Sequence, residues 1–423
     1  VICAIDEVPA ATLLLPYFAV DYTSADGSGQ NTLFSINNAS ATAVLAHVVV
    51  WSDLSVPVLD FNVYLTGYDV QTINLWDILH SGNLPQTASA GQDPGDLISP
   101  KGSFSQDINF ASCSGLLPPP QLPADFVAHL QNSLSGRAST VFGGLCAGRN
   151  LGDNVARGYI TVDTVNNCTL RFPGDPGYFG GDATFQNVLW GDYYQVNAGA
   201  NFADGNSLVH IEASTTNPET STTNFYTFYG RYDTPAWSAA DHREPLATNF
   251  AARFLNGGPF SGGTDFIVWR DSKVNQGPFT CSAQTGRPFW FPLGQEGIVI
   301  FDEQEHPQVP QTFPVSPQPQ NPTLVPFPAE TQSTHVGGAS LPVPFNFGWI
   351  YLDLNTTVTG ATNNPLDPAA AQAFVTIRGT SQGRFSVGYD AIHLDSACSV
   401  GAYTLTLPGA NHSVPPAAPK PTP

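Results

Sequence analysis

The chain has 423 residues, with 34 Asp and Glu against 14 Lys and Arg; its net charge is −20, yet charged residues make up only 11% of it. So acidic and lysine-poor a surface is repelled by phosphate backbones and anionic headgroups, which excludes nucleic acid and membrane surfaces as the expected partners. Hydrophobic residues at 42%, with 27 Phe and 7 Trp, exclude a disordered chain, and no apolar run approaches the roughly 20 residues of a spanning helix.

Methionine is absent and cysteine occurs six times. A chain that begins Val1-Ile2-Cys3 predicts removal of a signal peptide, and the even cysteine set predicts disulfides formed outside the cell. Read in order, residues 10–18 (AATLLLPYF) form a first strand, or else a donor strand for a neighbour's sheet edge. The turn that follows, 21–29 (DYTSADGSG), has the acids and glycines of a candidate calcium loop but lacks the terminal glutamate of an EF-hand. Residues 44–51 are a continuous apolar run suited to a strand covered on both faces, with His47 expected as a core histidine. Residues 61–65 alternate as a half-buried strand, and 75–80 predict one short helical turn.

An insertion at about 106–150 carries Cys113, Cys146 and a helix predicted over 123–134, where Phe126, Leu130 and Leu134 share a stripe and Pro123 opens the first turn. Residues 208–212 alternate as another strand, and a module boundary is expected near 232–241. A second helix is predicted over 244–255: Pro245 stands early, Leu246, Phe250 and Phe254 are four apart, and Gly257 ends it. On this reading Asp241-His242-Arg243-Glu244 is its capped start. Strands follow at 266–269, 297–301, 349–354, 373–377 and 403–407. Residues 307–344 contain ten prolines and read as an extended connector that cannot supply a central strand; 414–423 form a polyproline-like tail.

The expected fold is therefore all-β and mostly antiparallel: two Ig-like or jelly-roll-type β-sandwich modules with a few short helices and disulfides. The first spans 1–235, the second 236–408, and 409–423 is the tail. Val50-Trp51-Ser52-Asp53 and Val268-Trp269-Arg270-Asp271 echo each other, as duplicated modules or as chance recurrence at strand ends.

Cys3, Cys113, Cys146, Cys168, Cys281 and Cys398 contain no CxxC pair, which argues against zinc. Cys113 and Cys146 flank a proline-rich loop and the first helix and are natural partners, in a closure worth about 3–4 kcal/mol. Cys3 with Cys398 would clamp the two ends, leaving Cys168 with Cys281; an intermolecular bond from Cys3 is the alternative. Sequons stand at Asn38, Asn167, Asn355 and Asn411. The acid-plus-glycine turns at 93–96 and 180–182 are further calcium candidates.

Nucleophile-elbow, zinc-protease and phosphate-loop signatures are absent, so no catalytic set and no metal-ligand set is expected. The sequence favours a secreted structural or surface-assembly subunit of a filament, layer or matrix, associating with itself or with other surface proteins. The alternatives are a carbohydrate-binding or carbohydrate-cleaving protein, with Asp302, Glu303 or Glu305 as acids, and a calcium-stabilised adhesin. For the 302–306 cluster itself, a solvated strand end is the plainer reading.

Overall fold

The computed structural model describes residues 7–86, 117–213, 243, 246–247, 249–272, 277–282, 287–295, 297–308, 325–354, 373–381 and 385–394. Within them the chain is mostly β and the strand pairings are antiparallel.

The first pair of sheets uses β1 (Thr12–Asp21), β2 (Gln30–Asn38), β3 (Val44–Ser52), β4 (Pro57–Leu65), β5 (Val70–Asn74), β6 (Val155–Val165), β7 (Leu189–Trp190), β8 (Asp192–Asn197), β9 (Phe202–Ser207) and β10 (Val209–Ile211). Their orders are β10-β1-β6-β3-β4 and β5-β2-β8-β9, with β7 also pairing with β2. Leu13, Leu15 and Phe18 of β1, Val48 and Val50 of β3 and Ile160 and Val162 of β6 meet Phe34 and Ile36 of β2 and Tyr193 of β8 in one core, so the two sheets pack face to face.

The second pair uses β11 (Asn249–Leu255), β12 (Gly263–Arg270), β13 (Gly297–Asp302), β14 (Pro307–Gln308), β15 (Thr331–His335), β16 (Phe347–Asp353), β17 (Ala373–Ser381), β18 (Phe385–Asp390) and β19 (Ile392–His393). The orders are β14-β13-β16-β11-β19 and β15-β12-β17-β18. Phe250 and Phe254, Ile298 and Ile300, and Ile350 and Leu352 of the first of these sheets close on Phe266 and Val268 of the second. The expected arrangement of two antiparallel sandwiches is thus the observed one.

The helix predicted over 123–134 is α1 (Ala124–Leu134), entered from Pro123 and packed through Leu130 and Leu134 into the first core. The turn expected at 75–80 is the short helical segment Asp77–Ser81. The second predicted helix is corrected: its C-terminal half is strand β11. A spacing of four is even, so Phe250 and Phe254 share a face of a strand as readily as of a helix. Ala252, which a helix would turn aside, is buried between them, while Ala251 and Arg253 point the other way.

Part of the proline-rich connector also proves to be framework. Its 331–335 stretch forms β15, an edge strand as the flanking prolines require, and Phe327, Val336 and Leu341 enter the second core. Residues 10–18 are corrected as a donor strand: β1 lies between β10 and β6, inside its own sheet. The strand expected at 403–407, the tail 409–423, the module boundary at 232–241, and Cys3, Cys113, Cys398, Asn355 and Asn411 lie outside the described residues.

Candidate functional site

Among the described residues, the most elaborate side-chain chemistry lies on the seam where the two sandwiches meet. β3 and β12 each end in Trp followed two residues later by Asp, and both tryptophans are buried in one aromatic cluster. Tyr159 of β6 joins them: Trp51 stacks on its ring at 5.8 Å and Trp269 meets it edge-on at 5.7 Å. The Trp51 Nε1–H donates to Thr161 Oγ1 at 2.9 Å, and the Tyr159 hydroxyl donates to Ser55 Oγ at 2.7 Å. The sequence echo therefore brings equivalent strand ends to a single place.

Next to the aromatic cluster the backbones are knotted. The Asp53 carbonyl accepts from Glu330 N at 3.2 Å and Thr331 N at 3.3 Å, while the Glu330 carbonyl accepts from Arg270 N at 2.7 Å. The Asp53 carboxylate is held by Arg149 through its backbone N–H at 3.0 Å and its Nε at 2.6 Å. Glu330 Oε1 accepts from Ser272 N at 2.9 Å. Thr331 Oγ1 donates to the Pro16 carbonyl of β1 at 2.5 Å. Arg270 is fully buried and donates to the carbonyls of Phe327 and Gly294. Burial pushes its guanidinium down to about 10, against the pull of Glu330 and Asp353, so it stays charged at neutral pH.

A third knot corrects the role expected of Arg243. Arg243 itself forms an isolated antiparallel bridge with Ala213; it is buried and pairs with Asp163 of β6 at 2.7 Å, donating also to Thr12 Oγ1 at 2.8 Å. Thr12 and Tyr178 hydroxyls donate to the two Asp163 oxygens at 2.7 and 2.5 Å. The guanidinium lies 4.5 Å over the Phe179 ring.

The covalent part of the seam is a disulfide between Cys146 and Cys281, reinforced by paired backbone bonds between Cys146 and Phe279 at 2.7 and 2.9 Å. This overturns both the Cys113–Cys146 and the Cys168–Cys281 pairings. Loop proximity in sequence suggested a local staple, whereas the fold carries residues 277–282 of the second sandwich back to the helix-bearing loop of the first. Cys168 is disulfide-bonded too, and no described cysteine is free.

The remaining expected sites serve local structure. His47 is a core residue, its Nδ1 3.1 Å from Asn62 Oδ1. Asp302 closes the β13–β14 turn, accepting from the backbone of Gln304 and His306, and the His306 backbone bond foremost holds its carboxyl below the usual range. Glu303 pairs with Arg253 at 3.5 Å, so this cluster is the solvated strand end expected of it. In the 21–29 turn, Asp21 and Asp26 accept from their neighbours Thr23, Ser24 and Ser28. Asp182 is taken by Arg171 at 3.1 Å and Thr169 at 2.8 Å. Asn38 is buried, and its amide donates to the carbonyls of Thr42 and Thr66; Asn167 reaches Asp182 at 3.3 Å. No group of three or more His, Cys, Asp or Glu that could hold a metal forms among the described residues. Residues 93–96 lie outside them.

One Ser–His contact escaped the sequence reading. His129 Nδ1 lies 2.6 Å from Ser139 Oγ, and its Nε2 lies 3.2 Å from the Val58 carbonyl. A carbonyl only accepts, so Nε2 carries the proton, and burial lowers the imidazole pKa and keeps it neutral. With Ser139 fully buried, this pair braces α1 and has no approach for a substrate. The roles of Arg243, Arg270 and Glu330 were missed for one reason: their partners are far away in sequence, at separations of 80, 57 and 58 residues. A cleft of about 200 Å³ opens on the seam, lined by Gln332, Thr334, His335 and Ser340 beside Arg149.

The chain matches no family model, and neither a curated protein nor a solved structure matches it.

Proposed function

We propose that the protein is a secreted structural subunit of an extracellular or cell-surface assembly, a filament, layer or matrix that associates with copies of itself or with other surface proteins. The observation that carries this reading is the Cys146–Cys281 bond across the seam. Disulfides persist in oxidising compartments, and one that ties two sandwiches together favours a fixed relative orientation, which a repeating lattice requires. Buried ion pairs and a shared aromatic cluster along the same seam support rigidity over hinge motion. Edge strands β5 and β14 are the natural contact lines between subunits, since β4 is covered by α1 and β15 by the seam.

The test is light scattering with negative-stain microscopy of the purified, oxidised chain over a range of concentrations. Ordered oligomers or filaments are the expected result; a strictly monodisperse monomer throughout overturns the reading.

A further inference from the structure

The outward face of the sheet β5-β2-β8-β9 carries residues that neither the core nor the seam uses. Leu189 and Tyr193 are buried in the first core, so strand alternation turns Trp190, Asp192 and Tyr194 to the opposite side. Trp190 is 43% exposed and Tyr194 50%. They stand opposite Asn37 and Leu33 of β2, four residues apart, a separation of about 13 Å at the rise of a strand.

Tyr194 is opposite Gly205 of β9, where a Cβ would sit 2.7 Å from the ring. The ring thus packs against bare backbone, which is why glycine is needed there, and half of the residue stays exposed. Asp192 sits between the two aromatics, its carboxylate fixed by Ser35 Oγ at 2.7 Å and the Tyr194 hydroxyl at 3.3 Å. That charge raises the pKa of the Tyr194 phenol, which stays a neutral donor. Thr72, exposed and opposite Ser35, adds a hydroxyl to the same row.

Ligand chemistry follows from this inventory. The five strands of the face contain no lysine or arginine, and Asp192 repels anions, so a phosphate-bearing or acidic polymer has no counter-charge. Two exposed rings, spaced along one line with a preorganised carboxylate between them, suit the apolar faces and hydroxyl edges of linked sugars. The other aromatic group, Phe301, Trp349 and Tyr351 on the second sandwich, lacks this layout: its rings pack on one another at 4.8–5.9 Å and are mutually inclined by 39–85°.

We infer that this face binds a neutral polysaccharide, with Trp190 and Tyr194 stacking on two sugar rings of one chain and Asp192 accepting from the hydroxyls between them. The inference stands apart from the assembly reading, since a monomer and a filament present the same face.

Native affinity electrophoresis of the full chain tests it, in gels containing hydroxyethylcellulose, xyloglucan, galactomannan or glycol chitin, with polygalacturonate as the anionic control. Retardation is expected in at least one neutral polymer and not in polygalacturonate. Trp190→Ala and Tyr194→Ala should each weaken it about tenfold, while Trp349→Ala leaves it within about twofold. Absence of retardation in all four neutral gels overturns the inference. So does undiminished retardation of the Trp190→Ala/Tyr194→Ala double variant with an unchanged melting temperature, or loss of binding through Trp349→Ala alone.

Discussion

Replacing Arg243 by alanine removes one member of an ion pair whose side chains are 1% and 2% exposed. Asp163 keeps its hydrogen bonds from Thr12 and Tyr178 but loses its counter-charge in a place water does not reach. Breaking a buried pair from one side costs about 3–5 kcal/mol. Loss of the guanidinium from the face of Phe179, 4.5 Å away, adds about 1 kcal/mol. A destabilisation of about 4 kcal/mol or more is therefore expected. The paired change Arg243→Met/Asp163→Asn removes both charges while keeping bulk and one of the two oxygens that accept from the Thr12 and Tyr178 hydroxyls, and should recover at least about 2 kcal/mol of that loss. Urea unfolding followed by tryptophan fluorescence measures both, because Trp51 and Trp269 share a cluster with Phe179. An Arg243→Ala cost below about 1 kcal/mol, or a double variant no more stable than the single one, would refute the claim that this pair is a buried electrostatic tie.

Three further outcomes are expected. Asp60 is held above the usual carboxylate pKa foremost by burial, and its Oδ2 has no hydrogen-bond partner; a raised folded-state pKa means that ionisation opposes folding. Asp60→Asn should accordingly raise the urea midpoint at pH 7, and the gain should close as pH falls from the raised folded-state pKa to the ordinary carboxylate value near about 4, below which none is left; a variant less stable than the parent at pH 7 contradicts this. Removing the seam disulfide by Cys146→Ala/Cys281→Ala opens a loop of 135 residues, a loss of about 5 kcal/mol by chain entropy, and peptide mapping of the unreduced parent should recover 146 linked to 281. A Cβ at position 158 would lie 1.9 Å from the Trp51 carbonyl, so Gly158→Ala should cost about 3 kcal/mol by overpacking between β3 and β6, read as a lowered melting temperature.

How much of this was legible in the sequence depends on the range over which each signal acts. Strands β3, β4, β12, β13 and β16 and helix α1 were readable because apolar period is a local property that core burial then selects. Residues 249–255 misled because phenylalanines four apart satisfy two periods, and Ala252 was too weak an apolar marker to decide between them. Arg243 resembled a helix cap because its real partner is 80 positions away. Likewise the Trp51 and Trp269 echo was visible, but their meeting through Tyr159 was not, since that contact exists only once β6 lies beside β3 and the second sandwich abuts it. Even the Trp190, Asp192, Tyr194 alternation is local, but Gly191 interrupts its apolar pattern and no strand was read there.

The tie between Cys146 and Cys281 also determines how the chain carries load. Tension applied through flanking segments would pass across the sulfur bridge and bypass everything from β6 to β12. About 450 Å of contour length is withheld from extension as long as the bond is intact. Pulled in oxidising surroundings, the protein could lengthen only through the segments before 146 and after 281; after reduction, the enclosed segment would extend as well.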